Sequence, residues 1–375
     1  MLYVDIPSRS EIHSLLAVRA QPAVSIYVKT TPLTQDIGAS RIALKNLARD
    51  AGEQIIASGA DKRSLWPIEE AIADLVDDDS FWANQANSLA VLATPELLRT
   101  YRLANHIGDQ VHVSDRFHIQ PLLRAVTFPN TAFILVLAEG AVKLYELGPE
   151  GDPVPLRVPD MPKSAGDALG KTTLNDRSPS GRIHGSEGQN FRLRQYVRIV
   201  DQALRHALTG RERPLIIAAA DPLASMFRQA NSYPHLAQSL IKGNVEHMAP
   251  GELADAARVI LDEIHAAEID GLKSLFDRRA QESRATADVA QASRAAALGA
   301  IDTLLFDMDA DLPGTVSAAD GAVSFAKTAG SGTYGIIDEI AGRALASGAR
   351  VLAVRKADLP AGAALAAILR YPISL

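Results

Sequence analysis

The chain has 375 residues, of which 47% are hydrophobic and 22% are charged, and its formal net charge is −6. These values are typical of a globular protein and exclude a disordered chain. The absence of cysteine excludes disulfides, thiolate zinc sites and cysteine nucleophiles. No apolar run approaches the about 20 residues that cross a bilayer, and the first residues lack the apolar core of a secretion signal. We therefore expect a cytoplasmic protein without a membrane partner.

Strand and helix patterns alternate over the first 125 residues. Runs of β-prone residues predict strands at 23–28, 88–93 and 110–113, and apolar residues at helical spacing predict a helix over 39–56. The acidic run at 77–79 is interpreted as a solvated turn. These patterns predict an N-terminal α/β domain over residues 1–125.

The middle of the chain predicts a second α/β domain over residues 126–269. Apolar runs at 133–138 and 141–147 predict a hairpin, and a third strand follows at 154–158. The apolar periodicity then disappears over 159–190, which indicates a long loop. A helix capped by Gly210, a strand at 215–220 and a helix over 252–267 complete this domain.

The sequence of helix, glycine turn and strand occurs twice in residues 270–375. A helix at 287–298 leads through Gly299 into a strand at 301–306, and a helix at 336–346 leads through Gly348 into a strand at 351–354. This is the α/β crossover unit, whose apolar strand enters a sheet that is covered on both faces. We therefore expect a third α/β domain here, and an α/β fold class for the whole chain.

Two motifs imitate ligand sites. Residues 165–172 resemble a phosphate-binding loop, with Lys171 placed to contact a nucleotide, but they neither follow a strand directly nor open a helix. A nucleotide-binding enzyme using Lys171 is thus a less favoured alternative. Asp307, Asp309 and Asp311 resemble the start of a calcium loop but lack its turn glycine and closing glutamate, so they are interpreted as a solvated strand end. We expect no metal and no cofactor.

A third motif, Asp115-Arg116-Phe117-His118, combines two charges with an aromatic ring and a titratable ring. It is either a site or ion-paired packing at a domain junction. The second interpretation is favoured.

The end of the long loop carries the strongest functional pattern, His184-Gly185-Ser186-Glu187-Gly188-Gln189-Asn190, and leads into an arginine-bearing helix. Residues 181–214 contain seven arginines and three acids, which gives a local charge of 7 − 3 = +4 in an acidic chain. Such a patch indicates an anionic partner. Four helix arginines are the candidate RNA-binding residues: Arg192, Arg194, Arg198 and Arg205.

This segment resembles the catalytic loop of the archaeal and eukaryotic class-one release factors, which read His-Gly-x-Gly-Gly-Gln before an arginine-containing helix. The resemblance is thus to the class-one release factor and Pelota family. His184, Gly185, Gly188 and Gln189 stand in the matching places. Residues 296–305 are similar to the entry of that family's third domain. Residues 25–28, 100–102, 115–117 and 368–371 resemble the bacterial homologues of these factors.

The resemblance implies a ribosome-associated release or rescue factor that promotes hydrolysis of the peptidyl-tRNA ester. The ribosome and peptidyl-tRNA are the implied partners, with a translational GTPase as a further candidate. Gly188 and Gln189 are the implied catalytic residues, and His184, Gly185 and Glu187 support the loop. Glycines would let the backbone enter a narrow RNA cavity, where the Gln189 main-chain amide meets the developing oxyanion.

The resemblance also implies a ribonuclease H-like middle domain and a C-terminal domain like the kink-turn-binding ribosomal proteins. One position departs from the family, since Glu187 replaces the first glycine of Gly-Gly-Gln. A carboxylate meets RNA phosphates unfavourably, and a side chain restricts the backbone. The alternatives are a non-hydrolytic ribosome- or tRNA-binding protein of the same ancestry, or a surface loop that contains Gly-Gln by chance.

Overall fold

The computed structural model describes residues 3–59, 62–128, 130–170, 186–327, 332–360 and 362–373. The helices are α1 (Arg9–Ala17), α2 (Ile37–Ala57), α3 (Lys62–Asp77), α4 (Asp79–Trp82), α5 (Gln120–Thr127), α6 (Ala165–Ala168), α7 (Ser186–Leu208), α8 (Leu223–Ala230), α9 (Pro250–Gln281), α10 (Val289–Ala297) and α11 (Ile336–Ala346). Short 3-10 turns lie at Thr34–Asp36 and Lys356–Asp358.

The strands are β1 (Ala23–Lys29), β2 (Ser88–Thr94), β3 (Leu97–Leu103), β4 (Gln110–Ser114), β5 (Ala132–Leu137), β6 (Val142–Leu147), β7 (Val154–Leu156), β8 (Leu215–Ala219), β9 (Leu236–Ile241), β10 (Ala285–Thr286), β11 (Ile301–Asp307), β12 (Pro313–Val316), β13 (Val323–Phe325), β14 (Tyr334–Gly335), β15 (Arg350–Val354) and β16 (Leu365–Leu369). The chain divides into two compact units. One unit combines residues 1–129 and 268–375, and the other contains residues 130–267. This mixed α/β architecture with several sheets agrees with the predicted fold class.

The N-terminal sheet of the first unit is antiparallel, with strand order β3-β2-β1-β4. Side chains of a strand point alternately to opposite faces. Ile26 accordingly packs with Leu44 of α2 and with Trp82 of α4, whereas Tyr27 belongs to the core on the other face. Both faces of β1 are therefore covered, which explains why the strand is almost entirely buried.

The C-terminal sheet of the same unit has the order β10-β16-β11-β15. Strands β11 and β15 are parallel, as the crossover pattern predicts. Leu304 packs on the side of α10 and α11, and Leu305 packs with Ile269 of α9 on the opposite side. Since Leu304 and Tyr27 lie in one continuous core, the N-terminal and C-terminal segments share a hydrophobic core. The division into domains 1–125, 126–269 and 270–375 stays a prediction.

The second unit is a five-stranded sheet of order β7-β6-β5-β8-β9. The predicted hairpin is formed by β5 and β6, and β5, β8 and β9 run parallel to one another. Helices α7 and α8 pack against one face through Leu135 and Ile217, and the first part of α9 covers the other face through Ile134 and Ile216. The site helix α7 is thereby held on a buried sheet.

Helix α9 is longer than the predicted helix at 252–267 and continues without a break to Gln281. The second part of α9 also carries apolar residues that pack: Leu272 and Phe276 are partly buried against the C-terminal sheet. In the described part of the chain, no helix is long and apolar enough to cross a membrane.

Two glycines give opposite expectations for the same substitution. Gly210 follows α7 with φ +74° and Gly271 lies within α9, and a Cβ at either position would meet open space. We expect Gly210→Ala to lower the free energy of unfolding by about 1 kcal/mol, because an L side chain disfavours positive φ. Gly271→Ala should raise it by roughly 0.5–1 kcal/mol through helix propensity. Urea denaturation measures both values, and equal effects of the two variants would contradict this account.

Candidate RNA-contacting helix and its first turn

The position of α7 is set by one buried stripe. Its apolar members are at most 2% exposed and pack in the core of the second unit: Leu193, Tyr196, Val197, Val200, Leu204 and Leu208. The Tyr196 hydroxyl donates a hydrogen bond to the Ala138 carbonyl, at 3.0 Å, just after β5. Burial, together with the carboxylates of Glu246 and Glu139, raises the Tyr196 pKa, so the phenol stays a donor.

The first turn of α7 contains the predicted catalytic pair. The helix begins at Ser186, with Gly188 buried and Gln189 exposed. The predicted loop over 159–190 is therefore wrong at 186–190, and also at α6, which forms a short helix inside it. Glycine weakens a helix by only about 1 kcal/mol, which a well-packed helix tolerates. His184, Gly185, Lys171 and the Glu187 side chain lie outside the described residues.

The predicted RNA-binding arginines fall into different environments. Arg194 and Arg198 are exposed, opposite the buried stripe, and neither forms an ion pair with another described residue. Arg192 is half-buried. Arg205 is also exposed, and it is paired with Asp201, one turn earlier, at 2.9 Å. The face available to an anionic partner is thus centred on Arg194 and Arg198.

Asp201 is a functional support that sequence reasoning missed. Its carboxylate is 4% exposed and accepts hydrogen bonds from the backbone amide and the hydroxyl of Ser232, at 2.9 and 3.0 Å, as well as from Arg205. A buried carboxylate with several donors fixes the structure around it. The interaction ties α7 to the segment after α8. Only its four-residue spacing to Arg205 was visible in the sequence.

A family model matches the middle unit of the chain. Residues 129–267 match the model of the bacterial archaeo-eukaryotic release factor family 11. This range covers the second compact unit with α7 and its first turn. The middle unit is thus homologous to the archaeo-eukaryotic release factors. The predicted relationship is confirmed for this unit, and it supports a translation-related release or rescue factor.

Several solved structures are similar to this chain. The archaeal translation termination factor aRF1 is 14% identical over 98% of this chain and 99% of its own, with a TM-score of 0.24. Ribosome-bound archaeal Pelota is 14% identical over 99% and 96%, with a TM-score of 0.41. S. cerevisiae Dom34 is 12% identical over 74% and 75%, with a TM-score of 0.40. A search of the curated proteins finds no match. The assignment rests on the family match, since these TM-scores are too low to add to it.

A second polar cluster lies within the first unit, at the motif that contains Arg116 and His118. The Arg116 guanidinium pairs with Asp115 at 2.7 Å, forms an ion pair with Glu339, and lies 3.6 Å from the centre of the Tyr334 ring. These contacts join the N-terminal segment to α11 and its start. Ion-paired packing, the favoured interpretation of this motif, is what the structure contains.

His118 is held on all sides. Its Nδ1 donates to Asp338 Oδ2 at 2.5 Å, and its backbone amide and carbonyl bond to Ser25 Oγ and the Tyr27 hydroxyl of β1. The ring of His112 stacks on it at 4.0 Å. Burial lowers the His118 pKa, but the charge and hydrogen bond of Asp338 outweigh this and raise it above its usual range. The Asp338–His118 pair therefore favours the imidazolium form.

The acidic strand end near this cluster differs from its prediction. Asp307 is 6% exposed and its Oδ1 accepts a hydrogen bond from the Asp309 amide, so the interpretation as solvated is wrong for this residue. Asp311 is exposed. Among the described residues, no group of three or more histidines and acids is arranged to hold a metal ion.

His112 makes stability sensitive to pH. Burial, followed by the neighbouring His118, lowers its pKa to about 4, although Asp338 opposes this. A lowered histidine pKa stabilises the fold above the unfolded value of about 6.5, and this contribution is lost as pH falls towards 4. The raised pKa of His118 acts in the opposite sense. Its contribution to stability is complete below the pKa of the unfolded state and is lost as pH rises through the pKa of the folded state.

We expect the His112 contribution to decrease by about 1.5 kcal/mol between pH 6.5 and pH 5. His112→Gln should remove this part of the pH dependence, which urea denaturation at the two pH values measures. His206→Gln, at an exposed position of α7, is the control and should follow the wild type. An unchanged slope in His112→Gln would show that the histidine is not buried in the neutral form.

Proposed function

We propose that the chain is a ribosome-associated release or rescue factor that promotes hydrolysis of the peptidyl-tRNA ester through residues 184–190. The family match carries this proposal, because it covers α7, the Gly188-Gln189 turn and the arginine face in one unit. The ribosome and peptidyl-tRNA are the proposed partners. A translational GTPase is a further proposed partner that follows from the family resemblance alone.

The arginine face supplies the proposed RNA contact. Arg194 and Arg198 lie four residues apart on a helix, which separates them by about 6 Å along its axis. Both are exposed, and the stripe opposite them is packed on the sheet, so they point away from the unit's core. Two such guanidinium groups favour neighbouring phosphates and release counterions on binding. Binding should consequently weaken as the salt concentration rises.

The first turn of α7 supplies the proposed chemistry. A helix leaves its first backbone amides without partners inside the helix, and Gly188 lies in the first turn of α7. We assign the oxyanion contact to the main-chain amides of Gly188 and Gln189, which are both available once the turn opens. The exposed Gln189 side chain is then free to position the attacking water. Since Gly188 is buried, this turn has to open when the ribosome is bound.

The finer domain assignments are part of the same proposal. The order β7-β6-β5-β8-β9, with an antiparallel half and a parallel half, supports a ribonuclease H-like middle domain. The parallel pair β11 and β15 between helices is compatible with a C-terminal domain like the kink-turn-binding ribosomal proteins.

Peptide release from stalled ribosomes tests the catalytic proposal. Ribosome complexes that carry labelled peptidyl-tRNA are incubated with the wild type, Gln189→Ala and Gln195→Ala. Because positioning of water is lost, we expect Gln189→Ala to lower the release rate by about 100-fold or more while still co-sedimenting with ribosomes. Gln195, exposed on the same helix, is the matched control and should keep the wild-type rate. Equal release by the wild type and Gln189→Ala would reject catalysis by this residue.

Glu187 favours a second function, ribosome or tRNA binding without hydrolysis. It replaces a family glycine next to Gly188, and its carboxylate is repelled by RNA phosphates. In this case the wild type should co-sediment with ribosomes but release no peptide above background. Glu187→Gly should then gain release activity in the same assay, and Glu187→Gln separates the effect of charge from that of backbone freedom. Failure of the wild type to co-sediment would exclude both functions.

A further inference from the structure

The cluster around His118 borders a cleft that the proposed function does not use. Two adjoining hollows, each of about 440 Å³, share His112, His118 and Asp311 in their walls. Tyr334 and Asp338 line one hollow, and Asp109 lines the other. Small-molecule sites usually have volumes of about 300–1,000 Å³, so each hollow is large enough for a small ligand. All of these residues belong to the first unit.

The cleft contains carboxylate oxygens that have neither a hydrogen-bond donor nor a cation as a partner among the described residues. Asp338 is 4% exposed, and its Oδ1 has no hydrogen-bond partner, although Oδ2 is bonded to His118. A buried acceptor without a donor is costly and is usually satisfied by water or a ligand. Asp311 is exposed and forms no ion pair with another described residue. The cations in the walls are already paired: His118 with Asp338, Arg124 with Asp309 at 3.6 Å, and Arg116 with Asp115 and Glu339. An anionic ligand would therefore be repelled.

The aromatic surface of the cleft favours a flat ligand. The rings of His112 and His118 are stacked on each other, with their centres 4.0 Å apart and their planes tilted by 31°. His112 is neutral at neutral pH because its pKa is lowered to about 4. The same wall already holds a planar cation of the chain itself, since the Arg116 guanidinium stacks on Tyr334 between two carboxylates. Rings and carboxylates together are the environment that a guanidinium prefers.

We propose that this cleft binds a small molecule through a guanidine-like group, a planar N–C–N unit with several N–H donors. Asp311 accepts two of the donors, and the His112 ring stacks against the plane. Guanidinium compounds and the guanine base share this unit. Phosphorylated forms are disfavoured by Asp109 and Asp311, which line the cleft. The site is independent of the arginine face and of the Gly188-Gln189 turn.

Binding to the full chain is measured by calorimetry with methylguanidine, guanosine and guanosine monophosphate as probes. The NMR signals of the His112 and His118 rings report where each probe binds. We expect methylguanidine or guanosine to bind and to shift both histidine signals, and the tighter of the two identifies the source of the group. Asp311→Asn should weaken binding about tenfold or more, because a charge-assisted pair of hydrogen bonds is lost.

Asp152→Asn makes the same chemical change at an exposed position of the second unit and should bind like the wild type. Asp311 is exposed, so its substitution leaves the fold intact. The proposal is overturned if neither methylguanidine nor guanosine binds, or if Asp311→Asn binds as tightly as the wild type. Tighter binding of guanosine monophosphate than of guanosine would also overturn it, because the carboxylates should repel the phosphate.

Discussion

The burial of one face of α7 determines what the second unit presents to a partner. Six apolar side chains of this helix are almost fully buried against the sheet, and Asp201 fixes its far half to the segment after α8. A helix packed in this way cannot rotate about its axis without exposing that stripe, at roughly 1.5–3 kcal/mol for each large side chain. Arg194 and Arg198 are consequently fixed on the outer face. The basic residues of α7 thus form an outward-facing surface, because the opposite face of the helix is apolar and buried.

Local patterns were sufficient to predict about half of the helices and strands, including those that form the site. The repeat of apolar residues every three or four positions defined α7 and α11, and the continuous apolar runs defined β5, β8 and β11, because helix and strand periodicities depend only on neighbours in sequence. Glycines after helices were equally informative, since Gly210, Gly299 and Gly348 all have positive φ. Strand β3 was not predicted, and neither was β9. Both strands are only partly buried, so their sequences lack a continuous apolar run, and they are recognised as strands only through their pairing with β2 and β8.

Contacts between distant parts of the chain were beyond sequence reasoning. His118 and Asp338 are 220 positions apart, and nothing in either local sequence specifies the other. The motif at residues 115–118 did signal an ion-paired junction, because charges beside aromatic residues are seldom left unpaired when they are buried. The cleft beside it depends on the N-terminal and C-terminal segments sharing one core. For the same reason the hydrogen bond from Arg205 to Ser232 was not predicted, because it requires the position of the segment after α8.

Residues 186–190 form the helical first turn of α7, whereas the proposed chemistry requires the same residues to form a protruding catalytic tip. The buried stripe begins at Leu193, so residues 186–190 precede its first apolar contact. Gln189 is exposed, Phe191 is 61% exposed, and Gly188 has no side chain to pack. Glycine also weakens a helix by about 1 kcal/mol relative to alanine. Opening this turn thus breaks a few backbone hydrogen bonds and exposes no large apolar side chain, which is the pattern of a locally unstable segment on a rigid support. The remainder of α7 keeps its packing, and the arginine face stays in place while the turn changes shape.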